Sequence, residues 1–298
     1  MKRIVLFAAV NIAVLAVITV IVELLGLGRS LAGYGLSLTG LLVLSAIFGF
    51  GGAFISLALS KWMAKTAMGV RVIEQPQSGA ESLLLQIVRA HATRLGLAMP
   101  EVGIFDSPTL NAFATGARRN RALVAVSSGL LENMDSNEVQ AVLGHEMTHV
   151  ANGDMVTLAL LQGVLNTFVI FLARIVGTLI DNLLSGRRTR REGGGLFYFV
   201  TVIVLQIVFG VLATLIVMAY SRHREYRADA GGARLAGREN MIDALRVLQR
   251  VQDEPLPGQF QAFGIHDGSS TGLLRRLFMS HPPLQKRIAA LEALGPEP

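Results

Sequence analysis

Four uncharged stretches, residues 4–22, 30–60, 155–173 and 193–221, confine this 298-residue chain to folds that keep them out of water. They run to 19, 31, 19 and 29 residues. An α-helix needs about 20 apolar residues to cross the hydrocarbon core of a bilayer. The third stretch is interrupted by Arg174 and then continues to Ile180. Composition agrees: 16% of residues are charged and 52% hydrophobic, where a soluble domain carries about 25% charged residues. A soluble globular chain and a disordered one are both excluded. The absence of cysteine removes disulfide frameworks, thiolate metal sites and cysteine nucleophiles.

The first stretch follows the basic pair Lys2-Arg3. It is too long for the apolar region of a signal peptide, and Glu23-Leu24-Leu25 offers no small-residue cleavage site, so it is expected to stay as an anchor. Lys2 and Arg3 before the first span, and Lys61, Lys65 and Arg71 after the second, outnumber Arg29 between them, which places both ends of this hairpin in the cytoplasm. The chain then divides into a transmembrane hairpin (1–60), a first catalytic segment (61–154), a second hydrophobic hairpin (155–221) and a second catalytic segment (222–298). The two non-membrane segments together are long enough for one domain with its own core. There is no internal repeat.

Within these segments, 82–95 reads as an amphipathic helix, and 121–127 as a strand in a small sheet with 101–105. Asp135 to Glu138 forms a capping-box pattern that opens a helix over 136–151, and Asn152-Gly153 supplies its left-handed stop. Residues 224–235 and 241–251 read as helices. The stretch 252–271, with its glycines and prolines, reads as a mobile loop, and Ser280-His281-Pro282-Pro283 precedes a last helix to about Leu294.

On the capped helix sits His145-Glu146-Met147-Thr148-His149. Histidines at i and i+4 share one helical face, so both imidazoles reach one metal ion, and the glutamate stands where it can take a proton from water. With six histidines in the chain, about 0.005 such patterns are expected by chance. Val139, Val142, Leu143 and Val150 form the apolar backing of a buried site. A catalytic zinc needs a third protein ligand. The run Ser221-Arg-His223-Arg-Glu225-Tyr-Arg-Ala-Asp229 offers candidates. Glu225 and Asp229 lie one turn apart on one face, whereas His223 points elsewhere. One carboxylate binds the metal and the other orients a histidine. Spacing leaves open which does which.

Residues 126–131, 138–150, Asn152-Gly-Asp154 and 221–229 resemble the HtpX family of membrane-bound zinc metalloproteases, which are gluzincins related to the CAAX prenyl endoproteases. The resemblance covers nearly the whole chain. It implies that His145, His149 and Glu225 ligate one Zn2+ per chain, that Glu146 is the general base and that Asp229 supports the ligands. It implies a mostly α membrane protein: four hydrophobic helices plus a cytoplasmic α+β zincin-like metalloprotease domain assembled from two chain segments. It also implies an inner-membrane location and proteolytic quality control of membrane and unfolded protein substrates. His281 and Arg287 match a terminal segment that steadies the substrate carbonyl and oxyanion. Asn111 matches a segment along the substrate cleft.

Because His145 and His149 must meet Glu225, the chain crosses the membrane an even number of times between Asp154 and Arg222. Two crossings are favoured, although they put Arg187, Arg188, Arg190 and Arg191 on the far side. The sequence pI of about 10.1 does not indicate nucleic acid. Its basic residues (Lys61, Lys65, Arg222, Arg224, Arg227) flank the spans and suit anionic lipid. Gly49, Gly51 and Gly52 lie inside a span and read as a close helix contact rather than a phosphate cradle. A non-catalytic zinc-binding scaffold is disfavoured by the intact Glu146, a transporter by the lack of an acidic pair within the spans, and a prenyl-type endoprotease by the short chain with four hydrophobic stretches.

Overall fold

A computed structural model of the chain describes residues 37–184, 196–253 and 277–294. The first apolar stretch, the arginine cluster at 187–191 and the loop expected at 252–271, apart from its first two residues, lie outside the described residues. In chain order the elements are α1 (Leu38–Ala67), β1 (Arg71–Val72), α2 (Gly79–Leu95), β2 (Glu101–Phe105), β3 (Ala112–Thr115), β4 (Leu123–Ser127), α3 (Ser128–Asn133) and α4 (Ser136–Asn152). They continue with α5 (Asp154–Leu184), α6 (Leu196–Ala236), α7 (Arg238–Asp253) and α8 (Leu284–Glu292). The chain divides into two compact units: the described residues up to Ile55 with Thr157–Val217, and Ser56–Val156 with the described residues from Met218 on.

The first unit is helical. Helices α1, α5 and α6 are long and apolar enough to cross a membrane, so three of the expected hydrophobic helices are seen among the described residues. Phe171 is fully buried among Leu38, Leu41 and Ile175. Outward lie Ile47, Phe48, Phe197 and Ile207, each more than half exposed. Such a surface suits lipid and would be anomalous in water. A side chain at Gly49 would meet the backbone of Gly163 and Thr167, so this glycine sits at a close helix contact.

The second unit holds a four-stranded sheet in the order β1-β2-β4-β3. Strands β2 and β4 run parallel, with Val102 beside Val124 and Ile104 beside Val126; β1 and β3 are antiparallel to their neighbours. Every residue of β4 is buried, as expected of a central strand covered on both faces. One core joins α2, the sheet, α4, α7 and α8 through Leu84, Val88, Val124, Leu143, Met147, Ile242, Leu245 and Leu291. Both catalytic segments of the chain contribute to it. The strand expected at 121–127 and the helices expected at 82–95 and 136–151 are present within a few residues of those limits. The helix expected at 224–235 is the end of α6, which runs unbroken for 41 residues from the apolar stretch.

Candidate active site

Helix α4 is fixed at both ends. Asp135 accepts from the backbone N–H groups of Asn137 and Glu138, and the Glu138 carboxylate accepts from the backbone N–H of Asp135. Gly153 ends the helix in the left-handed conformation, φ 68°, which only glycine adopts without strain. Between these ends Val139, Leu143 and Met147 point into the core, while His145 and His149 share another face.

Helix α6 comes close enough to α4 to bring the second half of the site there because glycines meet where they pack. A Cβ at Gly232 would lie 3.0 Å from the backbone nitrogen of His145, and one at Gly231 would collide with the Thr148 side chain. As a result Glu225 and Asp229, one turn apart on α6, face the histidines. His145 Nε2 and His149 Nε2 are 3.1 Å apart, and each is 3.4 Å from an oxygen of Glu225. A tetrahedral ion with bonds of about 2.0–2.1 Å requires ligand atoms about 3.3 Å from one another. The three residues are all buried and form a group able to hold a metal ion. Asp229 does not join that group. Its Oδ1 accepts from His145 Nδ1 at 2.9 Å, leaving the His145 Nε2 lone pair for the metal. Of the two carboxylates that spacing left open, Glu225 is the one grouped with the histidines' Nε2 atoms, and Asp229 lies on the Nδ1 side of His145. His223 is exposed.

The charge balance also suits a cation. Glu146, Asp154, Glu225 and Asp229 surround the histidines, opposed by Arg224 and Arg287. Four carboxylates against two guanidiniums leave room for a dication. Burial opposes a charged His149 ring, but hydrogen bonds to Asp154 and Glu225 outweigh it and raise its pKa to about 9. Burial likewise opposes charge on His145, and bonds to Asp229 and Glu225 again prevail and raise it.

Glu146 lines a cleft of about 470 Å3 together with His145, Asn111, His281 and Arg287, so the structure gathers every residue singled out for substrate contact at one opening. Leu130, Val142, Leu245 and Leu248 supply its apolar wall. The His281 side chain is 57% exposed, with Nδ1 donating to Glu225 Oε2 at 2.6 Å. Arg287 is more deeply placed. Its Nε and Nη2 hold both oxygens of Asp229, and its Nη1 is 3.9 Å from Glu225. Arg222 donates to the carbonyls of Leu277 and Met279, fixing the segment that carries His281. Two buried groups had no site role in the sequence reading: Asp154, there only part of the Asn152-Gly-Asp154 motif, bonds His149, and Arg224, expected to face anionic lipid, is instead buried behind that carboxylate. The available signal for Asp154 was an acid placed directly after the glycine that ends the histidine helix.

A helix-borne His-Glu-x-x-His facing a third carboxylate ligand from a following helix, in a chain with membrane-length apolar helices, defines a membrane metallopeptidase. The model for "Peptidase family M48" matches residues 80–294. The chain is 57% identical over 297 residues to "Protease HtpX" of Thioalkalivibrio sulfidiphilus, covering 99% of each. It is 55% identical over 294 residues to "Protease HtpX homolog" of Thiobacillus denitrificans, covering 99% of this chain and 100% of the relative. The chain belongs to peptidase family M48 and, within it, to the HtpX proteases. Among solved structures, the S. mikatae Ste24p crystal structure superposes with a TM-score of 0.61 at 18% identity, covering 98% of this chain and 67% of that one; the two share a fold.

Proposed function

We propose that this metalloprotease is a zinc endopeptidase of the inner membrane, with its active site facing the cytoplasm, that cleaves misfolded or damaged membrane proteins. The observation that carries the catalytic part is the convergence of His145, His149 and Glu225 beside Glu146 in one cleft. Two histidines and a carboxylate suit zinc among the common divalent ions. A zinc ion held there supplies Lewis acidity, polarising a peptide carbonyl and lowering the pKa of water. The residues do the rest. His145, His149 and Glu225 fix the ion, and Asp229 holds His145 in the tautomer that ligates. Glu146 takes the proton from the attacking water and passes it to the leaving amine. His281, exposed in the cleft, donates to the substrate carbonyl, and Asn111 borders the path of the peptide. Arg287 steadies the developing oxyanion with Nη1, the nitrogen that Asp229 does not engage.

The cytoplasmic orientation is supported by Lys61 and Lys65 in the last two turns of α1 and by Arg71 at the start of β1. The same cations would meet anionic lipid headgroups. Two membrane crossings by α5 and α6 return the chain to the side it left, as the site demands.

Glu146→Gln tests the reading. Purified in detergent, stripped of metal and supplied with zinc, wild type is expected to cleave an unfolded protein such as casein, and the variant to bind one zinc with cleavage reduced at least 1,000-fold. Zinc binding by both with cleavage by neither, on membrane substrates as well, would turn the assignment toward a zinc-binding scaffold. Cleavage confined to prenylated peptides would turn it toward a prenyl-type endoprotease.

A further inference from the structure

His149 has its own carboxylate, supplied from an unexpected direction. Helix α4 ends at Gly153, and the left-handed turn there brings the first residue of α5, Asp154, back beneath the ring. Its Oδ2 lies 2.6 Å from His149 Nδ1, and the residue is 3% exposed. Behind it stands Arg224, also buried, with Nη1 3.7 Å from the same oxygen and Nη2 donating to Ser221 Oγ at 3.3 Å. The arrangement repeats on His149 what Asp229 and Arg287 provide for His145: an arginine behind a carboxylate, and the carboxylate on the Nδ1 face of a histidine.

We propose that Asp154 is the positioning residue of His149. It accepts the Nδ1–H proton, fixes the tautomer that presents the Nε2 lone pair to the metal, and holds the ring with Nε2 turned toward Glu225 and His145 Nε2. Arg224, 3.7 Å from Asp154 Oδ2, keeps the carboxylate turned inward. An acid in the first turn of a helix is also favoured by the helix dipole. An exposed carboxylate would satisfy the dipole equally well, whereas this one is buried and commits an oxygen to the ring nitrogen. Ligand histidines held in this way bind metal more tightly, and losing the partner commonly weakens affinity 10- to 100-fold.

The inference rests on the reading that His145, His149 and Glu225 hold a metal, and its test reads metal binding rather than cleavage. A chain that binds zinc normally yet cleaves nothing would therefore overturn the peptidase proposal and leave this one standing. The full chain in detergent, metal-free, is titrated with zinc against a chromophoric chelator. Asp154→Asn keeps the size and removes the charge. Asp154→Ser keeps a good helix-starting residue but cannot reach the ring. Each folded variant is expected to bind zinc about 10- to 100-fold more weakly than wild type, with altered visible absorption bands when cobalt replaces zinc. A purely structural role for Asp154 would lower the melting temperature of the metal-free chain and leave zinc affinity and the cobalt spectrum unchanged. Affinity within threefold of wild type in either variant that folds overturns the proposal.

Discussion

Single side chains in the second unit divide into those that face the metal position and those that hold α4 still. His91 is of the second kind. It is 1% exposed on α2, its Nε2–H donates to the Gln140 carbonyl of α4 at 3.0 Å, and its Nδ1 has no partner. Burial lowers its pKa below the ordinary 6.5, and the bond to Gln140 only partly offsets this. The folded state therefore resists a proton that the unfolded chain accepts, and stability attributable to His91 falls as pH drops below about 6.5 toward the folded-state value. Urea unfolding of zinc-free wild type and His91→Gln at pH 7.5 and 5.5 checks this. Wild type is expected to lose more stability than the variant over that interval, and equal losses would contradict it. The two histidines were legible in the sequence because their shared face depends only on helical period, whereas spacing left Glu225 and Asp229 open and the family resemblance pointed to Glu225. Asp154 and Arg224 were not legible as site residues, because what they touch depends on how the turn at Gly153 aims one helix relative to the next.

At the level of elements, the site exists because α4 and α6 approach closely. A pattern of residue types states that two helices are amphipathic but not which faces meet, so the contact of Gly231 and Gly232 with Thr148 and His145 became visible only in three dimensions. The same limit left residues 111–116 open between a loop and an edge strand, and it hid α3. Ala112–Thr115 is too short to show alternation and becomes a strand by pairing with β4, Phe113 beside Ala125. Helix α3 is a six-residue turn started by Ser127, whose hydroxyl accepts from the Leu130 N–H at 3.1 Å. Strand β4 and the capped α4 were readable because an apolar run and a capping box are local signals. The packing argument predicts that Gly231→Leu pushes α6 away from α4 and separates Glu225 from the histidines. Zinc stoichiometry is expected to fall well below one per chain while total helix content by circular dichroism changes little. Gly210→Leu, also on α6 but with nothing within 4 Å of its added Cβ, should keep full zinc binding. Loss in both variants, or in neither, would mean that the glycine contact does not set the site.

At the scale of the whole chain, two units with separate cores imply two separable responses. His145, His149, Glu225, Asp154 and Asp229 all belong to the unit formed by Ser56–Val156 and the residues from Met218 on, and none to the unit that contains Thr157–Val217. A ligand that binds only the folded site stabilises what it binds, by about 2.7 kcal/mol at a hundredfold excess over its dissociation constant. Chelation should therefore loosen the metal-bearing unit selectively, since the helical unit is held by Phe171, Leu41 and Ile175 and by lipid or detergent around its apolar face. Limited proteolysis in detergent, with and without EDTA, locates the effect. New cuts are expected within 56–156 and 218–294, each suppressed again by zinc, while 157–184 and 196–217 stay protected. Cuts spread evenly over both units would show that the metal stabilises the chain as one cooperative body rather than one half of it.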